Sequence, residues 1–531
     1  MRGPMEISDP SLSDSASNAA REAAKTLIPP VPETVPYMPG DCVLIIGPSE
    51  ILLKCLEALQ VTGLRPALLC TDLPDISSLP RGLRALPGRL ADLSGWMGAF
   101  TARMSTAQQP LSLVPLSFNE DGHFDWVLDF SATPSVQTAV PPLGYYQLPQ
   151  DDFPALKRTL LEIVGRVRSG YEKPRYFQFD PDMCALRRQS VQGCSACLPV
   201  CATGAITSGK ESIRIEPNLC QGCGSCALVC PSGAVRYAHP KPGFSLVRLK
   251  VMLAAWRATG SEPTGLWIVG ETVEGEPPHG WLPYPVTEPA SLGLEFWLAA
   301  LALGFGQVAI ASDKMPDETR SALQAQITLA QAMLSGLGLR QHIAWAGEHI
   351  PTTDLPAYPR ADLPVTDDKR TLLFAAIDAL IAGAGTLPVS IALPAGPFGE
   401  VRIDPAKCTL CAACVRICPA EALSLPGTNT QLAFTEERCL QCGMCANACP
   451  EKAISLAPRL LSSKTARQTP RVVAEAQMFA CAGCGKPFAT QAMIERSRVI
   501  MADHPMFQGK QARLMEMCPD CRQRAMAGVP V

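Results

Sequence analysis

The feature that most constrains this chain is a cysteine run, Cys408-x2-Cys411-x2-Cys414-x3-Cys418-Pro419, written again 31 residues later as Cys439-x2-Cys442-x2-Cys445-x3-Cys449-Pro450. Cysteines two or three positions apart are badly placed for disulfides and well placed to share a metal. Three thiolates at this spacing wrap one face of a four-iron cubane. The fourth, before proline, reaches across to the neighbouring cluster. The pattern gives Cys408, Cys411, Cys414 and Cys449 to one 4Fe–4S cluster, and Cys418, Cys439, Cys442 and Cys445 to a second. Zinc also takes four cysteines, but its sites pair one CxxC with a distant CxxC instead of forming an unbroken run.

An earlier stretch repeats the pattern with one irregularity. Its regular half is Cys220-x2-Cys223-x2-Cys226-x3-Cys230-Pro231; its other half is Cys194-x2-Cys197-x3-Cys201, with Val191 where the run should start. Cys201, Cys220, Cys223 and Cys226 make one cluster set. Cys194, Cys197 and Cys230 need a fourth ligand, and the reading adopted is Cys184, seven residues before Val191. The alternative is a three-iron cluster with Cys184 as a bystander. Arg187 and Arg188 lie between Cys184 and Cys194. Either they raise the potential of this cluster by favouring its more negative state, or they are simply solvated.

Two further pairs, Cys481-x2-Cys484 and Cys518-x2-Cys521, stand apart near the end. They read as the knuckles of a zinc ribbon, four thiolates around one tetrahedral ion, with an iron site or a redox dithiol as alternatives. About fifty residues hold too little core to fold unaided, so the metal contributes to folding there. Of the 23 cysteines, this leaves Cys42, Cys55 and Cys70, on apolar elements and expected to be small core residues.

Composition supports a protein with real cores. Hydrophobic residues make up 47% and charged residues 18%, and 46 Lys and Arg against 49 Asp and Glu leave a formal charge of −3. A nucleic-acid binder would need a basic excess. Residues 1–40 are polar and rich in Ser, Pro and Ala, without an apolar segment or twin arginine, and read as a disordered tail. The thiol density then places the chain in a reducing compartment, the cytoplasm. Residues 291–311 are long enough to span a membrane, but Glu295, Gly304 and Gly306 interrupt them. A buried helix followed by a core strand is the expectation.

The expected order is an α/β domain at 41–170, a ferredoxin-like module at 171–240, and a second α/β domain at 241–350. A linker and helix at 351–397, a second ferredoxin-like module at 398–460 and a zinc-ribbon-like domain at 476–531 follow. The fold class is therefore multidomain α/β plus α+β. The start VLIIG-PSE, with Asp72 ending the next strand, has the order of a dinucleotide site but a single glycine, and Glu50 would face the phosphates. A docking or scaffold role is preferred there. Gly304-Phe-Gly306 fails as a nucleotide motif because a helix precedes it and a strand follows. The six histidines form no CxxCH or HExxH.

At FDWVLDFSATP, MCALRRQSVQGCSACLPVCATGAI, LCQGCGSCALVCPSGAVRYAHP and CAGCGKPF…MCPDC, the chain resembles large bacterial ferredoxin-type 4Fe–4S proteins associated with formate dehydrogenase genes, over about residues 41–531. The resemblance implies four cubanes and electron transfer. Region 244–350 is also loosely similar to small iron–sulfur subunits of hydrogenases and heterodisulfide reductases. The expected function is one-electron relay between redox partner proteins, formate dehydrogenase being a candidate, through four 4Fe–4S clusters beside a zinc ion. No membrane span, nucleic acid or catalytic residue is expected. Two alternatives stay open: an oxidoreductase subunit with a flavin or nicotinamide in 41–150, and a maturation or sensor protein docking a client enzyme.

Overall fold

The computed structural model describes residues 10–72, 82–270, 277–312, 314–340, 342–346, 360–427, 430–505 and 508–530. Residues 1–9 of the expected tail and 351–359 of the expected linker lie outside these.

The first α/β body is built on five parallel strands in the order Arg84–Pro87, Arg65–Cys70, Cys42–Gly47, Trp126–Asp129, Tyr145–Gln147. The strand Cys42–Gly47 is buried on both faces, so it reads as a continuous apolar run. Val43 and Ile45 face two helices, Ser49–Leu59 and Phe153–Ser169. Cys42, Leu44 and Ile46 face a small antiparallel sheet, Leu90–Ser94, Thr101–Met104 and Leu111–Ser112. The second helix starts where Asp152 accepts from Ala155 N–H at 2.8 Å, a side-chain cap on an otherwise unpaired donor.

The second body carries four parallel strands in the order Trp281–Val286, Gly265–Gly270, Gln307–Ala311, His342–Trp345. Helices Pro242–Arg257, Leu294–Ala302, Asp317–Gly336 and Lys369–Gly383 share its core. Helix Leu294–Ala302 is apolar all round because it is buried all round: Trp297, Leu298 and Leu301 are fully enclosed. It ends before Gly304, and the strand Gln307–Ala311 follows. Among the described residues no helix is long and apolar enough to cross a membrane.

The expected tail is a correction. Residues 10–25 form a helix, and Thr34–Tyr37 pairs antiparallel with Tyr171–Pro174. Ala16, Ala20 and Ala24, four residues apart, lie on one helical stripe and pack into the second body beside Leu246 and Leu249. Alanine is the best helix former, and its small side chain lets two helices approach closely. The stretch from Ser462 to Pro470, polar in sequence and outside the expected domains, is also structured. A helix Lys464–Gln468 there buries Arg467, and the strand Arg471–Glu475 completes a sheet with Gln431–Phe434 and Leu423–Ser424. The second cysteine-rich module therefore reaches to residue 475.

Candidate iron–sulfur and metal centres

Both modules hang their cysteines on short ribbons and one-turn helices. In the first, Phe177–Phe179 pairs with Val235–Tyr237, and Ile206–Ser208 with Ile213–Ile215; Ser225–Val229 is helical. In the second, Gly399–Ile403 pairs with Ile454–Leu461, and the helices are Ala413–Ile417 and Met444–Ala448.

Between these elements the chain curls left-handed at fixed offsets from the cysteines. Positive φ recurs at Gly222 and Gly224, at Leu410 and Ala412, and at Gln441 and Gly443, two and four residues after Cys220, Cys408 and Cys439. Alternating right- and left-handed residues turn successive N–H groups inward, forming a concavity suited to anionic groups, iron–sulfur clusters among them. Leu410, Ala412 and Gln441 hold this conformation at a cost that glycine would avoid. A second offset, three residues after each crossing cysteine, is left-handed at Gly204, Gly233, Glu421 and Lys452.

The thiols collect in groups. Cys408, Cys411, Cys414 and Cys449 line one small cavity; Cys418, Cys439, Cys442 and Cys445 line another; Cys201, Cys220, Cys223 and Cys226 line a third. Cys194 and Cys197 lie within electrostatic reach of Cys230 and Cys184. Burial pushes the thiols of Cys194, Cys220 and Cys439 up to about 11, and those of Cys197 and Cys414 up to about 12. Pockets this dry keep a bare thiol neutral, and a metal that binds thiolate reverses that preference. Cavities walled by four thiols, with inward N–H groups beside them, fit iron–sulfur clusters. The crossing cysteines have donors of their own. Ala422 and Ala453 N–H donate to Cys418 and Cys449 Sγ at 3.3 Å, while Thr203 and Ser232 hydroxyls sit 3.5 and 3.6 Å from Cys201 and Cys230 Sγ.

The irregular start of the first module has a clear place. A two-residue hairpin, Arg187–Arg188 against Val191–Gln192, turns at Gln189 and Ser190, both left-handed. It brings Cys184 back beside Cys194 and Cys197 and sends Val191 out against the core of the second module. Asn447 Nδ2 donates to Gln192 O at 2.8 Å, and a Cβ on Gly193 would stand 2.7 Å from Met444 Cε. Burial raises the thiol of Cys442 in the second module, and Arg188, expected near the first module's cluster, is close enough to oppose that rise slightly.

Sequence reasoning missed the residue that ties the modules together. Arg370, at the start of helix Lys369–Gly383, donates to the carbonyls of Pro231 and Pro397 and to those of Glu437 and Cys439. Its neighbour Lys369 donates to Ala227 and Leu228 O, closing the end of the short helix Ser225–Val229. The sequence signal was faint: two cations opening a helix behind the capping Asp368.

Cys481, Cys484, Cys518 and Cys521 form a different kind of group. Their sulfurs lie within 4.8 Å of one another, and Cys484 and Cys518 Sγ are 3.8 Å apart. Four thiolates about 2.3 Å from one tetrahedral ion stand about 3.8 Å apart. A cubane, with four irons between its thiolates, needs wider spacing. The hairpin Met478–Ala480 with Pro487–Thr490 presents the first pair, and helix Pro519–Met526 opens with the second. Burial acts to raise the Cys481 thiol, but N–H donors from Cys484, Cys518 and Gly483 outweigh it and bring the thiol down to about 6. These four residues can hold one metal ion. The unit docks on the second module: Thr490 Oγ1 donates to Thr409 O at 2.8 Å, and Arg496 pairs with Glu451 at 2.8 Å.

The remaining cysteines, Cys42, Cys55 and Cys70, are fully buried in the first body. At the C-terminal ends of that body's strands lies a cavity of about 640 Å3 where a nucleotide could be sought. Its helix N-terminus, however, already holds an anion. Asp72 accepts from Ser49 N–H at 2.8 Å and from Ser49 Oγ at 3.0 Å. Gly47 is explained by packing, since a Cβ there would stand 3.0 Å from Phe130 Cβ.

No curated protein matches this chain. The sequence profile of the 4Fe-4S dicluster domain family matches it twice, at residues 192–234 and 407–453, with Cys184 outside the first match. The chain thus carries two dicluster regions of the ferredoxin type.

Proposed function

We propose that this protein relays single electrons between redox partners through four 4Fe–4S clusters. The observation that carries the reading is the adjacency of the thiol groups. Cys226 lies within electrostatic reach of Cys197, Cys194 of Cys442, and Cys445 of Cys414, so each group neighbours the next in order. We assign the ligand sets as Cys201, Cys220, Cys223 and Cys226; Cys184, Cys194, Cys197 and Cys230; Cys418, Cys439, Cys442 and Cys445; and Cys408, Cys411, Cys414 and Cys449. A cluster so held supplies reversible one-electron chemistry at a potential set by charge, solvent and hydrogen bonds to its sulfurs. The protein's part is to keep the groups dry, to aim N–H donors at the cysteine sulfurs, and to fix the groups at constant separation through Arg370.

Cys481, Cys484, Cys518 and Cys521 are assigned to a structural zinc ion on the strength of their close spacing. A reducing, cytoplasmic setting is consistent with the density of free thiols. Formate dehydrogenase as a partner rests on the family resemblance alone. Anaerobically purified protein is expected to carry about sixteen iron atoms and one zinc per chain, measured by metal and sulfide analysis with EPR. About eight irons would refute the four-cluster relay.

A further inference from the structure

A cavity of about 970 Å3 opens where the two modules meet the second α/β body. Cys194 and Cys230 of the first module and Cys442 of the second stand in its wall. The cavities at the other three cysteine groups measure only about 20 to 30 Å3. A cluster at Cys194 and Cys230 would therefore leave most of this space free. What remains is the size of a small-molecule site.

The lining has a consistent chemistry. Among the described residues its charged lining is Arg320, Lys369 and Arg370, with no carboxylate. Arg370 is held by backbone carbonyls, and Lys369 by carbonyls and by Glu295 behind it, 3.8 Å from its ammonium, so Arg320 is the cation left to face a ligand. Arg320 has no carboxylate partner among the described residues and lies over the Trp345 ring, 5.5 Å from its centroid. Trp345 is itself oriented, its indole N–H donating to Gln324 Oε1 at 2.6 Å. An oriented indole with an arginine beside it is a platform for a planar ring bearing negative charge. Leu228, Leu329 and Leu373 supply apolar walls. Gln441, also in the lining, has a buried Oε1 with no donor among the described residues, while its Nε2 is committed to Glu400 O and Cys439 Sγ. A ring N–H would satisfy that oxygen.

We propose that this cleft binds a planar, anionic, redox-active molecule of the flavin-nucleotide class, seated beside the cysteines of both modules. That the ligand is redox-active rests on the electron-relay reading; the site itself rests on the cleft. The test is titration of flavin mononucleotide into anaerobically purified holoprotein, followed by flavin fluorescence, with iron measured on the same samples. Saturable quenching at one flavin per chain is expected. Arg320→Glu and Trp345→Ala should each weaken it by about tenfold or more without loss of iron. Lumiflavin, which lacks the phosphate, should bind more weakly than the nucleotide. Absence of saturable binding up to about 1 mM overturns the proposal, as does binding indifferent to both substitutions. Saturable flavin binding in purified protein that carries only about eight irons would support the site while refuting the four-cluster relay.

Discussion

In the second module Leu410, Ala412 and Gln441 adopt left-handed conformations beside the cysteines, and Glu421 and Lys452 do so after the crossing ones. The first module places glycine at every corresponding position of its regular loop and after both crossing cysteines: Gly222, Gly224, Gly204 and Gly233. Its irregular loop, Cys194–Cys197, has no left-handed residue, and the curl moves upstream to Gln189 and Ser190. The regular module thus carries backbone strain and braces itself internally. Glu436, 3% exposed, is held there by Arg459 at 2.8 Å and Arg471 at 2.7 Å. The irregular module leans outward instead, Val191 and Gln192 resting on its neighbour and its helix end held by Lys369. Departure from the ferredoxin spacing is therefore a change of support: the position that lost a cysteine gained a contact between modules.

The largest effect should come from the internal brace. Glu436→Ala removes the buried one of the two carboxylates that Arg459 and Arg471 share and leaves only Glu400 between them, which costs about 3 kcal/mol. Iron analysis after mild heating should show the second module's eight or so irons lost first and the first module's retained. Equal loss from both would erase the distinction drawn above. Next is Cys184→Ala, predicted to release one iron and give a three-iron EPR signal from the first module only. An unchanged spectrum would make Cys184 a bystander.

Smaller still is Gly193→Val, whose Cβ would meet Ala185 O at 2.4 Å and Met444 Cε at 2.7 Å. A cost of about 1–3 kcal/mol is expected, with full iron content but weaker magnetic coupling between modules by EPR. Retained coupling would place the support elsewhere. The smallest is Lys452→Gly, which relieves a left-handed residue in the strained module and should stabilise it by about 0.5–1 kcal/mol in denaturant titration. The same change to a glycine in an unstrained helix would destabilise it.

Much of the architecture was readable because it depends on local pattern. Cys42–Gly47 and Gln307–Ala311 are apolar strands in any context, and Gly304 separates helix Leu294–Ala302 from the strand after it. The regular cysteine runs imposed their own grouping. What escaped reading depends on partners distant in sequence. Helix Pro10–Lys25 looks like a polar tail because its buried stripe is alanine, weakly hydrophobic until the helix Pro242–Arg257 covers it. Val191 is unremarkable until the second module meets it. Arg467 sits in a polar stretch, and only the fold shows it buried against Asp378 and Glu437.

Arg370 has a kinetic consequence. Its helix buries Leu372, Leu373 and Ile377 in the second α/β core, while its guanidinium spans residues from Pro231 to Cys439. Contacts closing such long loops form late, after the local elements they join. The seat between the modules therefore waits on the parallel sheet, which gathers strands from Gly265 to Trp345. During synthesis the first module emerges well before the helix that will hold it against the second. Its thiols can gather metal early, but the arrangement of the two modules is set only by the last long-range contacts to form.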